Sequence, residues 1–183
     1  MKIVFILSRF PYPLEKGDKL RAFQHLQHLT ASGHEVHLLA LSDENVDESS
    51  LGKIRTMCES VHIIRLSIFD IFINVMASFL RKIPLQVGYF YSAKNQKKID
   101  QLIRDIRPDL IYCQLIRTAC YMRNISGIPL VLDYMDAFSR GTLQRMKKTS
   151  WWLMPLFSRE LKLVKKFEED CYRWFHSHLI ISE

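Results

Sequence analysis

The chain has six glycines in 183 residues, and none of them falls in a G-x-G-x-x-G or G-x-x-x-x-G-K-[ST] arrangement. Those spacings let backbone amides cradle the phosphates of a dinucleotide or a nucleoside triphosphate, so their absence disfavours an NAD enzyme and a P-loop NTPase. Cysteines are few and widely spaced, at Cys58, Cys113, Cys120 and Cys171. Cys113 lies in an apolar, strand-like run, which suits a reduced packed thiol and a cytoplasmic location. Seven histidines are present, but neither His25 and His28 nor His176 and His178 has a carboxylate at a metal-ligand spacing, so no metal is expected. No nucleophile elbow or Cys–His signature points to acyl transfer. Long apolar runs are missing too: residues 66–80 contain Asp70 and Asn74 and fall short of the roughly 20 residues that a bilayer span needs. The apolar start, residues 2–7, is followed at once by Arg9 and two prolines, unlike a secretory leader. No transmembrane helix, repeat or low-complexity linker is expected.

What is present is a core and a basic surface. With 48% hydrophobic residues the chain can bury one core and is too short for two ordinary domains, so residues 1–183 are expected to form a single domain. The net charge of +7 favours anionic partners such as nucleotide phosphates or lipid head groups. Nucleic acid is not expected, because the basic residues are not interleaved with a recognition motif.

Short apolar or β-branched runs at 2–7, 35–41, 61–66, 110–113, 130–134 and 178–182 read as strands buried on both faces. Helical periods separate most of them. Ala22, Phe23, Leu26 and Leu29 share a face after a cap at Asp18, and Gly33 is placed to end that helix. Ile99, Leu102, Ile103 and Ile106 recur after Ser92 until Pro108, and a long stripe runs from about Leu156 to Trp174. The alternation predicts an α/β fold with a doubly wound, mainly parallel, Rossmann-like sheet.

Between the first strand and first helix lies Ser8-Arg9-Phe10-Pro11-Tyr12-Pro13-Leu14-Glu15-Lys16-Gly17-Asp18-Lys19-Leu20-Arg21. Loops at the carboxyl edge of such a sheet usually carry function. Gly17 permits close backbone approach, Lys16 and Arg21 offer cationic contacts, and Asp18 can cap the helix or bind a sugar hydroxyl. The alternative is an ordinary turn, N-cap and solvated charges. Asp133 and Asp136 end the fifth strand, where a carboxylate could hold a hydroxyl or act as a base; a loop hydrogen bond and a helix cap are the competing roles. Arg117, just beyond the fourth strand, could bind a phosphate or form a surface salt bridge.

The first loop, together with Gly33-His34-Glu35-Val36, Arg107-Pro108-Asp109, Leu132-Asp133-Tyr134-Met135-Asp136 and the terminal Leu179-Ile180-Ile181-Ser182-Glu183, resembles bacterial group 1 (family 4) glycosyltransferases of the GT-B type along essentially the whole chain. The resemblance implies an acceptor-binding amino-terminal domain, with a carboxyl-terminal nucleotide-sugar domain missing beyond residue 183. It implies transfer of a sugar from a nucleotide sugar, a substrate rather than a cofactor, to a polysaccharide or glycolipid acceptor. Asp133 and Asp136 are then the catalytic candidates, and Lys16, Gly17, Asp18, Arg21 and Arg117 the substrate-binding ones. Many retaining relatives carry a histidine where Met135 stands, so that role does not transfer. A non-catalytic Rossmann-like domain that binds an anionic partner is the alternative.

Two further stretches suggest a surface partner. In residues 67–82, Asp70, Asn74 and Ser78 form a narrow polar stripe on an otherwise apolar helix, which is therefore buried or touches lipid or an apolar acceptor. Arg140, Arg145, Lys147 and Lys148 precede Trp151-Trp152-Leu153-Met154-Pro155-Leu156-Phe157, a composition suited to an anionic membrane interface. The expected location is the cytoplasm, with peripheral attachment to the inner face of the cell membrane.

Overall fold

The computed structural model describes residues 1–180. Six strands, β1 (Lys2–Leu7), β2 (Glu35–Ser42), β3 (Ser60–Arg65), β4 (Leu110–Gln114), β5 (Leu130–Met135) and β6 (Ser177–Ile180), form one sheet in the order β3-β2-β1-β4-β5-β6. Every pairing is parallel. The expected doubly wound Rossmann-like sheet is what the chain forms.

Strand β1 shows why the runs lack alternation. Its Val4 and Ile6 enter one core, with Leu39, Ile99, Ile111 and Val164, whereas Ile3, Phe5 and Leu7 enter the other, with Leu26, Leu38 and Ile54. Side chains alternate across the pleat, so a strand covered on both faces must be apolar throughout. The second core lies under α1 (Gly17–Ala31) and α2 (Glu48–Arg55). The first lies under α5 (Ala93–Ile106), the short α6 (Ile116–Ala119) and α8 (Met154–Trp174). Two further helices, α3 (Ile68–Arg81) and α4 (Leu85–Phe90), follow β3, and α7 (Phe138–Lys147) follows β5.

Several local expectations change. Asp18 lies inside the first turn of α1, whose N-cap position is Lys16, so it does not cap the helix; it accepts from Arg9 Nη1 at 3.0 Å instead. Ser92 occupies the N-cap of α5 without a side-chain capping bond. The last strand is an edge strand with Leu179 and Ile180 exposed rather than a core strand, because only β5 pairs with it. Its expected residues 181–182, and the Ser182-Glu183 end, lie outside the described residues. The α3 helix is turned opposite to a core helix: its polar Ser78 is buried and its apolar flank is exposed.

Candidate functional site

The strand order reverses direction between β1 and β4, which opens a crevice at their carboxyl ends, the usual ligand position in open α/β sheets. Gln114, the last residue of β4, spans this edge. Its Nε2 donates to the Asp18 carbonyl at 3.1 Å and approaches Met135 Sδ at 3.5 Å, tying the start of α1 to the end of β5.

On the α1 side of the edge sits a closed polar network. Asp133 is fully buried, and its carboxylate accepts from Arg21 Nε at 2.7 Å, Arg21 Nη2 at 3.2 Å, Tyr112 Oη at 2.9 Å and the Met135 amide at 3.0 Å. Tyr112 Oη lies 2.8 Å from His25 Nδ1. Because the phenol donates to Asp133, the histidine takes the Nδ1–H tautomer and donates to the phenol. The hydrogen bond to Asp133 raises the Arg21 pKa, and burial together with the Asp133 charge raises that of Tyr112. Burial, then the Arg21 charge, lowers the pKa of His25. Four donors use up the acceptor sites of one carboxylate. Asp133 thus has its acceptor capacity filled from within the chain, and through Met135 it fixes the turn that follows β5.

On the other side of the edge is an open cavity of about 470 Å³, lined by Asp18, Arg117, Asp136, Phe138, Arg140 and Arg145 among others. Arg117 is held between the rings of Phe90 and Phe138, each 5.3 Å from its guanidinium carbon, an arrangement that favours a cation by ring-quadrupole attraction. Its Nε and Nη1 are buried and have no hydrogen-bond partner among the described residues. Burial and the nearby Arg9 charge lower its pKa to about 10, with Asp18 opposing, so it remains cationic at neutral pH. Leaving two buried guanidinium nitrogens without an acceptor is costly, and an incoming anion would supply the missing acceptors.

Two residues lining the cavity hold backbone conformations that L-amino acids rarely adopt: Leu115 at φ 66°, ψ 146°, and Met135 at φ 59°. Such outliers persist where surrounding structure over-determines them, and they cluster at functional sites. The Asp133 bond to the Met135 amide, and the bond from the Leu115 amide to the Asp133 carbonyl at 2.7 Å, are the restraints here.

Of the sequence-predicted residues, the fold brings Asp18, Arg117 and Asp136 into one cavity. Arg21 and Asp133 pair with each other. Lys16 and Gly17 are exposed where the first loop enters α1, and no atom lies within 4 Å of where a Gly17 Cβ would stand. Arg140 and Arg145, expected at a membrane, line the cavity. Tyr112, Gln114 and Phe138 were not anticipated. A signal existed for the first two: they are the polar residues at a spacing of two on one face of an apolar strand, opposite Arg21 and His25 at a helical spacing of four. Among the described residues no group of three or more His, Cys, Asp or Glu is placed to hold a metal, and no helix is long and apolar enough to cross a membrane.

No known protein-family profile matches the chain. Over 114 residues, 62% of its length, it is 28% identical to an uncharacterized 44.6 kDa protein in the cps region of Klebsiella pneumoniae, and the match covers 27% of that protein. Among solved structures, a sucrose-phosphate synthase from Thermosynechococcus elongatus aligns with 99% of this chain over 47% of its own, with a TM-score of 0.51 and 10% identity. That likeness shows the fold. The six-stranded parallel sheet and its covering helices match about half of that synthase in fold. A nicotinamidase from Staphylococcus aureus aligns over 72% of this chain and 80% of its own at a TM-score of 0.38 and 11% identity, too loosely to bear on function. The chain spans about a quarter of the cps-region relative and about half of the synthase.

Proposed function

We propose that this domain is the acceptor-binding half of a glycosyltransferase, acting with a second domain that binds the nucleotide sugar. The observation that carries the proposal is the Arg117 cavity: a cation whose buried Nε and Nη1 have no hydrogen-bond partner among the described residues, beside the exposed carboxylate of Asp136, at the switch point of a sheet that aligns with about half of a sucrose-phosphate synthase. The relative in a cps region supports a polysaccharide or glycolipid acceptor.

In this reading Arg117, with Arg140 and Arg145, binds an anionic group of the acceptor, either a phosphate or a uronate carboxylate. Asp136 accepts a hydrogen bond from the acceptor hydroxyl and orients it toward the donor sugar. Asp18 offers a second hydrogen-bond acceptor across the cavity. Asp133 acts as a positioning residue, since its oxygens are committed to Arg21, Tyr112 and Met135. Lys16 and Gly17 lie outside the cavity lining, and their substrate role requires closure of the second domain over the first loop. Catalysis of this kind rests on alignment and on electrostatic stabilisation of the leaving diphosphate, which the donor domain would supply in larger part.

The test uses the full-length protein to which this chain belongs, incubated with nucleotide sugars and a lipid-linked saccharide acceptor. Sugar transfer is expected, with Asp136→Asn lowering kcat/KM at least about tenfold, a loss of roughly 1.4 kcal/mol. Retained binding of anionic saccharides without any transfer would favour the non-catalytic binding domain. Wild-type kinetics for both Asp136→Asn and Arg117→Gln would remove the cavity from the mechanism.

A further inference from the structure

The α3 helix presents an apolar surface to solvent. Seven side chains between Ile68 and Leu80, including Phe69, Phe72 and Met76, are 46 to 82% exposed. The polar stripe faces inward, where Ser78 Oγ donates to the Asn74 carbonyl at 2.6 Å and packs against Gly88 of α4 so closely that a Cβ there would lie 1.8 Å from it. The orientation is therefore fixed by packing. Rotating the helix to bury the phenylalanines would break this contact and expose the glycine seam.

The end of α3 is met by α8. Its Arg159 guanidinium lies 4.0 Å from the Phe79 ring centroid and donates to the Phe79 carbonyl, and Glu160 accepts from the Leu85 amide at 2.8 Å. One turn earlier on α8 is the exposed Leu156, preceded by a 3-10 turn that carries Trp151, 85% exposed, and Trp152, 64% exposed. Apart from the half-buried Asp70 in the first turn of α3, charge around the surface has one sign. Residues 71–99 and residues 137–159 contain no aspartate or glutamate, and they contribute Arg81 and Lys82 at the end of α3 and Lys147 and Lys148 at the end of α7, all exposed.

We propose that the outer face of α3 and the Trp151–Trp152 turn together seat on an anionic lipid surface. A 14-residue helix is about 21 Å long, too short to cross the roughly 30 Å hydrocarbon core but suited to lying in the interface plane with its apolar flank down. Exposed indoles match the head-group level, and the cationic rim matches anionic lipid. A soluble protein partner would be expected to supply carboxylates to that rim as well as an apolar face, whereas a bilayer supplies both the charge and the hydrocarbon. The cavity adjoins this surface: Gln86 of α4, the helix on which α3 packs, and Arg140 and Arg145 of α7 line it. A membrane-seated domain would present the cavity to a lipid-linked acceptor, although lipid binding itself does not depend on the glycosyltransferase reading.

The experiment is co-sedimentation of this chain with vesicles of phosphatidylcholine alone and of phosphatidylcholine with 30% phosphatidylglycerol, at about 50 and 500 mM salt. Binding is expected only with phosphatidylglycerol, weaker at high salt, and with a blue shift of tryptophan emission as Trp151 and Trp152 enter the interface. Phe72→Glu with Met76→Glu, both on the exposed flank and therefore tolerated by the fold, should abolish binding. Lys147→Glu with Lys148→Glu should weaken it at least about tenfold. Trp151→Ala with Trp152→Ala, checked by circular dichroism, keeps the test open if the glutamate variants misfold. Absence of binding to anionic vesicles, or binding unchanged in these variants, would overturn the proposal. A concentration-dependent dimer that the glutamate pair dissociates, without vesicle binding, would assign the surface to a second copy of the chain.

Discussion

Two charged groups lie at the same carboxyl edge of the sheet and are treated in opposite ways. Asp133 is buried and paired with Arg21, hydrogen-bonded to Tyr112 and held by the Met135 amide. Arg117 is held between two phenylalanine rings with two buried nitrogens unpaired. A satisfied buried charge maintains geometry, whereas buried charged nitrogens without acceptors carry a cost that an anion would offset. The contrast separates a closed, internally paired centre of this edge from an open one, even though the two groups arise from adjoining β-α connections.

Breaking the satisfied side should give the largest effect. Asp133→Ala leaves Arg21 and Tyr112 without their acceptor and is expected to lower stability by about 3 kcal/mol, the lower end for a broken buried pair because Arg21 is partly exposed. Urea unfolding measures this, and a loss below about 1 kcal/mol would show that the network is dispensable.

Removing the unsatisfied charge should act with the opposite sign. Arg117→Met is expected to leave stability unchanged or raise it by about 1 kcal/mol while abolishing binding of inorganic diphosphate measured by calorimetry. Destabilisation with diphosphate binding retained would exchange the roles of the two centres.

A finer probe of the satisfied side is Tyr112→Phe. It removes one donor from Asp133 and leaves His25 Nδ1 without its acceptor, for an expected loss of about 1 kcal/mol. Full wild-type stability in the same urea assay would mean that Arg21 and the Met135 amide suffice.

The smallest effect is the pH dependence of His25. Burial and Arg21 depress its folded-state pKa below the unfolded value near 6.5, so between those two values the unfolded chain binds the extra proton. Stability should therefore be constant above about pH 6.5 and decline as the pH falls through the window beneath it. His62, also depressed by burial, acts in the same direction. A His25→Gln variant should show a shallower decline than the wild type, and an identical slope would place the titration elsewhere.

Much of the molecule was legible from the chain. Strands buried on both faces need unbroken apolar runs, so β1, β2 and β4 announced themselves together with their order of alternation with helices. The residues at their carboxyl ends could be named as candidates because every βα connection of a parallel sheet opens on the same edge. The apolar flank of α3 and the basic and aromatic composition around the tryptophan pair also followed from residue type alone; that both are exposed did not.

The partners of each charge could not be read in this way. Asp133 and Asp136 lie three residues apart at one strand end, and nothing in that spacing says that one meets Arg21 across 112 residues while the other faces solvent. Arg117 carried equal claims to a salt bridge and to a phosphate until the fold placed Phe90 and Phe138, and no carboxylate, against it. The helical period of α3 established a polar stripe and an apolar flank, but which one faces inward was decided by the fit of Ser78 against Gly88. Sequence periodicity determines which residues share a face, since that is a local property of the backbone. Which faces meet depends on contacts between segments far apart in the chain, and here that alone separates a closed ion pair from an open cavity and a core helix from one with an exposed apolar face.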